Sequence, residues 1–285
     1  MRFRRDWLGK RIRKMLVVVG CVSASALVLG AMIGRGAMAQ TAAGGAEKVQ
    51  PVKVMAADAH PAFEVAAIKP SDPSESANGF HAEGRQVSIA NQTLVKMVMF
   101  AYSVQQSQVA GVPEWANTVR YDVSGVPDVE GAPNIVQLRE MIQKLLSDRF
   151  GLVFHRETRE LPVYAISVAK GGTKLTSAAD PNGTSGEGGM QHGTELTMRF
   201  TNSSIADLAL NMQLMVDRPI VDRTGLAGRY DFVLRYTVDE IRATDPNAPP
   251  GLFTAIQEQL GLKLEAVKAP VQVLVIDKLE QPSAN

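Results

Sequence analysis

The most informative pattern of apolar and polar positions in this chain occurs twice. Residues 88–97 (SIANQTLVKM) and 199–208 (RFTNSSIADL) both combine a strand end, an Asn, a hydroxyl residue and the start of an apolar helix. The offset between the two segments is 111 residues, and it still holds where Val109 corresponds to Ile220. A repeated order of elements is typical of internal duplication. We therefore predict an α+β protein of two homologous units, in which helices pack on small, mostly antiparallel sheets.

The clearest predicted helix lies in the second part of the first unit. Asn134 and Gln137 have the spacing of a capping box, and an apolar stripe at helical spacing comes next. Gly151 stands where a left-handed C-terminal cap belongs, and Gly261 has the same place after the corresponding helix of the second unit. The other predicted N-caps are Thr93 and Ser204.

Each of these glycines is followed by two segments in which apolar and polar residues alternate. They lie at 152–156 and 163–168 in the first unit and at 262–265 and 271–276 in the second. Alternation predicts half-buried strands, and the polar residues between the segments predict a turn, so we expect one hairpin in each unit. The pattern leaves open whether the two units share a sheet.

The chain divides into five predicted parts. We assign residues 1–39 to a signal peptide, 40–60 to a flexible spacer, 61–175 to the first unit, 176–194 to a Gly/Ser-rich loop and 195–281 to the second unit. The glycine run at 183–189 in that loop lacks the Lys and hydroxyl of a phosphate-binding loop and contains an acid, so we predict a flexible loop.

The N-terminus has the three regions of an export signal. A basic region at 2–14 precedes an apolar run at 15–33, and Ala37–Ala39 supplies a small-x-small cleavage pattern. We expect a periplasmic or extracellular mature chain that starts near Gln40 and has no stable membrane span; without cleavage it would stay tethered. The pair Arg4–Arg5 leaves both the general secretory and the twin-arginine export route open.

Charge and cysteine content exclude several classes of function. The first 39 residues hold eight basic residues and one acid of the 30 and 29 in the whole chain, so the remainder has a net charge of −6. Such a body lacks the basic surface that nucleic-acid binding requires. Cys21, the only cysteine, lies within the signal, which excludes disulfides and cysteine chemistry from the mature chain.

His155 and Glu157 are the catalytic candidates. At positions i and i+2 of a strand their side chains share a face, and a His beside a carboxylate can act as a general base. The charged neighbours 156–160 favour a surface cluster of ion pairs over this catalytic role. The chain has no Gly-x-Ser-x-Gly motif and no metal-ligand spacing, so we predict no metal site and no cofactor.

The binding candidates come from repeated polar residues and one tryptophan. Arg120 and Asp122 flank a Tyr, as do Arg229 and Asp231 in the second unit. Their repetition favours a structural Arg–Asp pair across a buried ring, with a paired binding site as the alternative. Trp115 lies in a turn that is longer in the first unit, where it is either an exposed contact residue or a lid over the core.

Four long segments resemble a known family. They are FEVAAIKPS, LLSDRFGLVFHRETRELPVYAISVAKGG, VDRTGLAGRYDF and LFTAIQEQLGLKLEAVKAPVQVLVIDKLEQPS. Together they are similar to a soil-associated family of exported bacterial proteins that is catalogued as a domain of unknown function. This resemblance covers residues 63 to about 283 and brings no reaction, cofactor or catalytic residue. At the level of fold, the first part of each unit resembles the short N-terminal domain of secretins and TonB-dependent transporters, which works by protein contact.

These observations favour a non-catalytic protein-binding or assembly module of the cell envelope, whose partner is an envelope protein or peptide. An open sheet edge is the expected binding element, and a proline at Val273 is one way to block it. One alternative is a hydrolase that acts on an envelope or extracellular polymer through His155 and Glu157. Another is a sensor of small ligands in a cleft between the units. Partner identity and oligomeric state stay open.

Overall fold

The computed structural model describes residues 53–72, 74, 77–213, 215–238 and 248–282. The predicted signal and the first part of the predicted spacer lie outside the described residues. The helices are α1 (Leu94–Tyr102), α2 (Glu114–Thr118), α3 (Ile135–Phe150), α4 (Ile205–Met212) and α5 (Leu252–Ala255), with a 3-10 turn at Gln106–Gln108 and a π-helical turn at Ile256–Leu260. The strands are β1 (Phe63–Pro70), β2 (Gly79–Glu83), β3 (Gln86–Thr93), β4 (Val109–Ala110), β5 (Arg120–Pro127), β6 (Val153–Val168), β7 (Thr176–Ser177), β8 (Gly186–His192), β9 (Glu195–Ser203), β10 (Ile220–Asp222), β11 (Tyr230–Thr237) and β12 (Leu262–Lys278).

These strands form three four-stranded sheets. The first sheet has the order β1-β5-β3-β2, the central sheet β10-β6-β12-β4, and the second outer sheet β7-β11-β9-β8. All pairs are antiparallel except β10 with β6 and β4 with β12. The predicted α+β class with mostly antiparallel sheets is therefore confirmed. Within the described residues, no helix is both long and apolar enough to cross a membrane.

The first outer sheet carries α1 and α3 on its apolar face. Thr93 caps α1 by accepting a hydrogen bond from the Lys96 N–H, and Asn134 caps α3 in a capping box with Gln137, as predicted. The buried apolar stripes of both helices meet the sheet in one core. Phe150 at the end of α3 packs edge-on against a tyrosine of β5, with ring centroids 5.4 Å apart.

The second outer sheet carries α4 and the π-helical turn in the same way. Ser204 caps α4 in a capping box with Asp207. Leu208 of α4 and Phe200 of β9 are fully buried, and they form a second core with the turn at Ile256–Leu260. The order of elements in this half, from β7 to β12, matches the order in the first half. Descent of both halves from one duplicated unit stays a prediction.

The central sheet joins the two halves. β6 of the first half pairs with β12 of the second in one antiparallel register, from Leu262 opposite Val168 to Ile276 opposite Phe154. The middle of this register is the pair of Leu161 with Ala269. The question of a shared sheet is thus answered: the two halves build the central sheet together.

The two cores also exchange residues through this ribbon. Leu274 and Ile276 lie on β12, in the second half of the chain, yet they belong to the core of the first half. Ile166 lies on β6, in the first half, and belongs to the core of the second. Neither core is therefore complete without a strand from the other half.

The two predicted hairpins are wrong. Residues 153–168 form one strand of 16 residues and residues 262–278 form one of 17. The polar residues between the alternating segments, which predicted the turns, instead continue each strand through Pro162 and Pro270. Here both prolines lie where the ribbon has no described neighbouring strand on its outer side, so the missing N–H costs no ladder bond. Val273 is buried in this ribbon opposite Glu157, so a proline there would not test an open edge.

Two predicted loops are also more ordered than expected. In the spacer, Met55 is buried and its N–H bonds the carbonyl of Ala132, so residues 53–60 lie against the first half. The predicted loop at 176–194 contains β7 and β8. Apolar Met55 and the pairing of β8 with β9 provide contacts that local composition does not indicate.

Because the cores share the ribbon, we expect the two halves to unfold together. Leu208→Ala removes a buried side chain from the second core and should lower the free energy of unfolding by about 2–5 kcal/mol. Trp115, which packs on the first core, should report that shift in its fluorescence, in the same denaturant transition as the circular dichroism. Val233→Ala, at an exposed position of the same half, is the control. A Trp115 transition that stays in place while the circular dichroism shifts would contradict shared cores.

Candidate functional site

Two asparagines hold matching positions at the ends of β3 and β9. Asn91 and Asn202 have left-handed backbones, with φ of 53° and 47°. The Asp122 carboxylate accepts a hydrogen bond from the Asn91 N–H at 2.9 Å, and the Asp231 carboxylate accepts one from the Asn202 N–H at 2.7 Å. Both acids, predicted as binding candidates, thus hold a turn of the main chain.

The hydrogen bonds lower the pKa of both carboxyls. Partial burial raises the pKa of Asp122, but hydrogen bonds from Ser71 and Asn91 outweigh it, so the pKa lies below its ordinary value. The N–H groups of Asn202 and Ala179 lower the pKa of Asp231 in the same way. Both groups are therefore carboxylates in the folded protein at neutral pH.

The paired arginines bind the same two turns from the other side. Arg120 donates to the Asn91 carbonyl oxygen at 3.1 Å, and Arg229 donates to the Asn202 carbonyl oxygen at 2.8 Å. The expected direct ion pairs of Arg120 with Asp122 and of Arg229 with Asp231 do not occur among these described residues. Each Arg and Asp instead binds the same asparagine main chain, and this arrangement occurs in both halves.

Trp115 lies in α2 and packs, partly buried, against the first core. Of the two interpretations of Trp115, a contact residue or a lid over the core, its packing matches the lid.

The structure brings His155 and Glu157 together and adds a third acid. His155 Nε2 lies 3.2 Å from Glu157 Oε1, and His155 Nδ1 lies 2.8 Å from Asp277 Oδ1. Glu157 also accepts a hydrogen bond from Arg159 Nε at 2.8 Å. All four side chains lie on an exposed surface of the β6–β12 ribbon, and we call them the His155 cluster.

The chemistry of the His155 cluster favours a charged imidazole. The Glu157 carboxylate, followed by that of Asp277, raises the pKa of His155 above its ordinary value. Arg159 and then His155 lower the pKa of Glu157. With a carboxylate at each ring nitrogen, both nitrogens act as donors, whereas a general base needs a free nitrogen lone pair. In the described part of the chain, no group of three His, Cys, Asp or Glu side chains is arranged to hold a metal ion.

A different site is present at the edge of the second outer sheet. β8 pairs with β9 over seven residues, from Gly186 opposite Thr201 to His192 opposite Glu195. The connecting turn has two residues, and the first of them, Gly193, has a φ of 58°. Such a turn closes on a hydrogen-bonded pair, here His192 with Glu195.

The hydrogen-bonded pair at the turn determines which main-chain groups of β8 point away from β9. Residues at even positions of β8 exchange hydrogen bonds with β9, so residues at odd positions direct their N–H and C=O groups away from it. Gly189 and Gln191 are two of these residues. No strand in the described ranges pairs with this side of β8. We call it the β8 edge.

The β8 edge lacks the protection found at the other edges. Natural sheets protect edges with short strands, charged side chains or proline. β4, β7 and β10 have two or three residues, and β2 has five and ends in Glu83. β1 carries Glu64, Lys69 and Pro70. β8 has seven residues with no Lys, Arg or Pro.

The one acid of β8, Glu187, lies on the face that carries α4 and is still exposed. Glu187 accepts a hydrogen bond from the Asn211 side chain of α4. Burial there raises the pKa of Glu187, and the hydrogen bond from Asn211 acts in the opposite direction. On the outer face, Met190 is 76% exposed. The outer face of β8 therefore presents glycines, Met190 and His192, and the carboxylate of Glu187 lies on the opposite face.

Comparison with known proteins places the chain in a family. The family model described as "Protein of unknown function (DUF3738)" matches residues 95–279. The chain belongs to this family. No curated protein and no solved structure matches it significantly. The matched range runs from α1 to just beyond β12, so it includes both the β8 edge and the His155 cluster of this DUF3738 protein.

Sequence reasoning missed two members of these sites. Asp277 is 122 residues from His155 and meets it only through the ribbon. β8 was expected to be a loop, because glycine is rare in strands. One signal was present: a Gly-Thr pair at 193–194 stands between two extended segments, and a Gly-led pair is typical of a hairpin turn.

The left-handed backbone at Asn91 leads to a stability prediction. Asn91→Ala should lower the free energy of unfolding by about 1–2 kcal/mol, because the short polar side chain of asparagine can support this φ by local hydrogen bonds, whereas alanine cannot. Asn91→Gly should recover most of that loss, since glycine adopts positive φ freely. Denaturant unfolding of both variants measures the difference. An equal loss in both would show that the asparagine side chain, and not the backbone conformation, matters.

The His155 cluster leads to a pH prediction. We expect the ring of His155 to titrate above its ordinary value of 6.5. A raised pKa stabilises the folded state fully below that value, and the stabilisation is lost as the pH rises through the folded-state pKa. NMR titration of the ring protons measures the pKa. Glu157→Gln and Asp277→Asn should each lower it, while the titration of the other histidines stays unchanged; an unchanged His155 pKa in both variants would exclude the pairing.

Proposed function

We propose that this DUF3738 protein is a non-catalytic protein-binding or assembly module of the cell envelope, which binds an extended segment of a partner against the β8 edge. The observation that carries the proposal is the seven-residue unprotected edge, in a protein whose other described edges are short or charged. The export signal in the sequence supports the location.

Addition of a partner strand would use the groups that the β8 edge presents. The outward N–H and C=O groups of Gly189 and Gln191 provide main-chain hydrogen bonds, which give affinity in this mode of recognition. On the outer face, a Cβ added at Gly188 would meet no atom of the described residues within 4 Å, so there is space for a partner side chain. Met190 beside it offers an adaptable apolar contact.

The strand that pairs with β8 is anchored in the second core. β9, its neighbour, is anchored by Phe200, which stacks on Phe232 of β11 with ring centroids 4.6 Å apart. Phe200 is buried in the second core together with Leu208. A preformed edge loses less conformational entropy when it binds than a flexible segment does, which favours binding.

The geometry favours the two alternatives less. A hydrolase that uses His155 as a base would need a free ring nitrogen, and both nitrogens lie within hydrogen-bond distance of carboxylates. A small-ligand sensor between the halves would need a cleft there. Among the described residues, a shallow pocket lies beside α5 on the second half, and its lining includes Phe253 and Lys263, the latter paired with Glu265 at 2.8 Å.

A photoreactive residue in place of Met190 tests the proposal in living cells. We expect it to crosslink a partner, and we expect Gln191→Pro to reduce that crosslink by about tenfold or more, because the variant removes an outward N–H and leaves a partner acceptor unpaired. Gln191→Ala keeps the N–H and should crosslink as before. Proline is tolerated at an edge position whose N–H faces outward, so the unfolding midpoint of Gln191→Pro should stay close to that of the original chain.

The same photoreactive residue at Val65, an exposed position of β1, is the control for location. If Val65 captures the same proteins as Met190, or if Gln191→Pro leaves capture unchanged, the β8 edge is not the binding element.

A further inference from the structure

We propose that the strand accepted by the β8 edge is β8 of a second copy of this chain. The two copies would then form a two-fold dimer in which two second outer sheets become one continuous sheet. This inference rests on the proposed function, since it names the partner of the same edge.

The positions of the outward groups determine the register. Two β8 strands related by a two-fold axis pair antiparallel, and residues at odd positions must face each other to exchange hydrogen bonds. With the axis at Gly189, each Gly189 pairs with its counterpart, and Gln191 pairs with Glu187 of the second copy. This register is the one that overlaps all seven residues of the strand.

Side chains fit in this register. On the outer face, Met190 lies opposite Gly188 of the second copy, and His192 lies opposite Gly186, so each large side chain meets a glycine. On the other face, the acid Glu187 lies opposite the neutral amide of Gln191, so no like charges meet. The strand is thus complementary to itself when reversed.

Other registers overlap less of the strand. An axis at Gly188 would keep Met190 opposite a glycine, Gly186, but would leave Gln191 and His192 unpaired. An axis at Met190 would place the two exposed methionines opposite each other, and an axis at Glu187 would place two carboxylates opposite each other, which destabilises a strand pair.

The proposed contact is small. Stable interfaces bury roughly 1,200–2,000 Å² in total, and one pair of seven-residue strands contributes only a part of that. We therefore expect a reversible dimer whose population rises with protein concentration.

Cysteine pairs test both the partner and the register. Gly188 and Met190 of two copies form a non-hydrogen-bonded pair with Cα atoms about 4.5 Å apart in this arrangement, which is within reach of a disulfide. Two full-length chains with different tags, both carrying Cys21→Ser, are co-expressed; one carries Gly188→Cys and the other Met190→Cys. We expect a mixed disulfide dimer after mild oxidation in cells, little dimer when either variant is expressed alone, and loss of the dimer when Gln191→Pro is added.

Val65→Cys in place of Met190→Cys is the matched control, and it should give no mixed dimer with Gly188→Cys. Absence of the mixed dimer, or an equal amount with Val65→Cys, overturns self-pairing. If self-pairing fails while the photoreactive residue at Met190 still captures a different protein in a Gln191-dependent way, the proposed function stands and only the identity of the partner was wrong. If both experiments fail, the β8 edge binds neither a second copy of the chain nor a different protein.

Discussion

The antiparallel pairing of β6 with β12 is the interaction on which the rest of the structure depends. Each strand leaves a helical segment through a left-handed glycine, Gly151 before β6 and Gly261 before β12. The turn at Gly261 is also tightly packed, because a Cβ there would lie 2.2 Å from the Gly172 carbonyl oxygen. Since the two strands run in opposite directions, each reaches the core of the other half, where Leu274 and Ile166 are buried. The ribbon therefore makes one cooperative protein out of two similar halves.

The sequence was sufficient for features that short-range chemistry determines. The caps at Thr93, Asn134 and Ser204 and the left-handed glycines were predicted from local rules, and the structure has them where expected. Features that depend on distant partners were not accessible. Pro162 indicates a turn when its neighbours alone are considered, and only a partner strand about 100 residues away shows that it lies within a strand.

In the candidate sites too, local features could be predicted from the sequence, whereas contacts between distant residues could not. The period of two along a strand placed His155 and Glu157 on one face, and the structure has them in contact. A structural Arg–Asp pair was favoured over a binding site around each of the two tyrosines. Among these described residues no such direct pair occurs. The Arg and the Asp instead bind the main chain of Asn91 or Asn202, whose positive φ was not predicted from the sequence. The turn acts as a corner between strand and helix, and its carboxylate and guanidinium together satisfy both main-chain groups of the asparagine.

Among the described strands, the distribution of charge distinguishes the β8 edge from the outer sides of the ribbon. The long ribbon has open outer sides, yet these carry the His155 cluster, Lys268 and two prolines, so strand addition there would strip charges of water or meet a missing donor. β8 has no Pro, Lys or Arg, its one acid is bonded to Asn211, and its glycines add a further property. Glycine weakens a strand on its own, so β8 relies on β9 for its order. A second strand on the open side would supply hydrogen bonds to the main-chain groups that β9 cannot reach. A partner bound in this way would extend the sheet by one strand and help to order β8 itself.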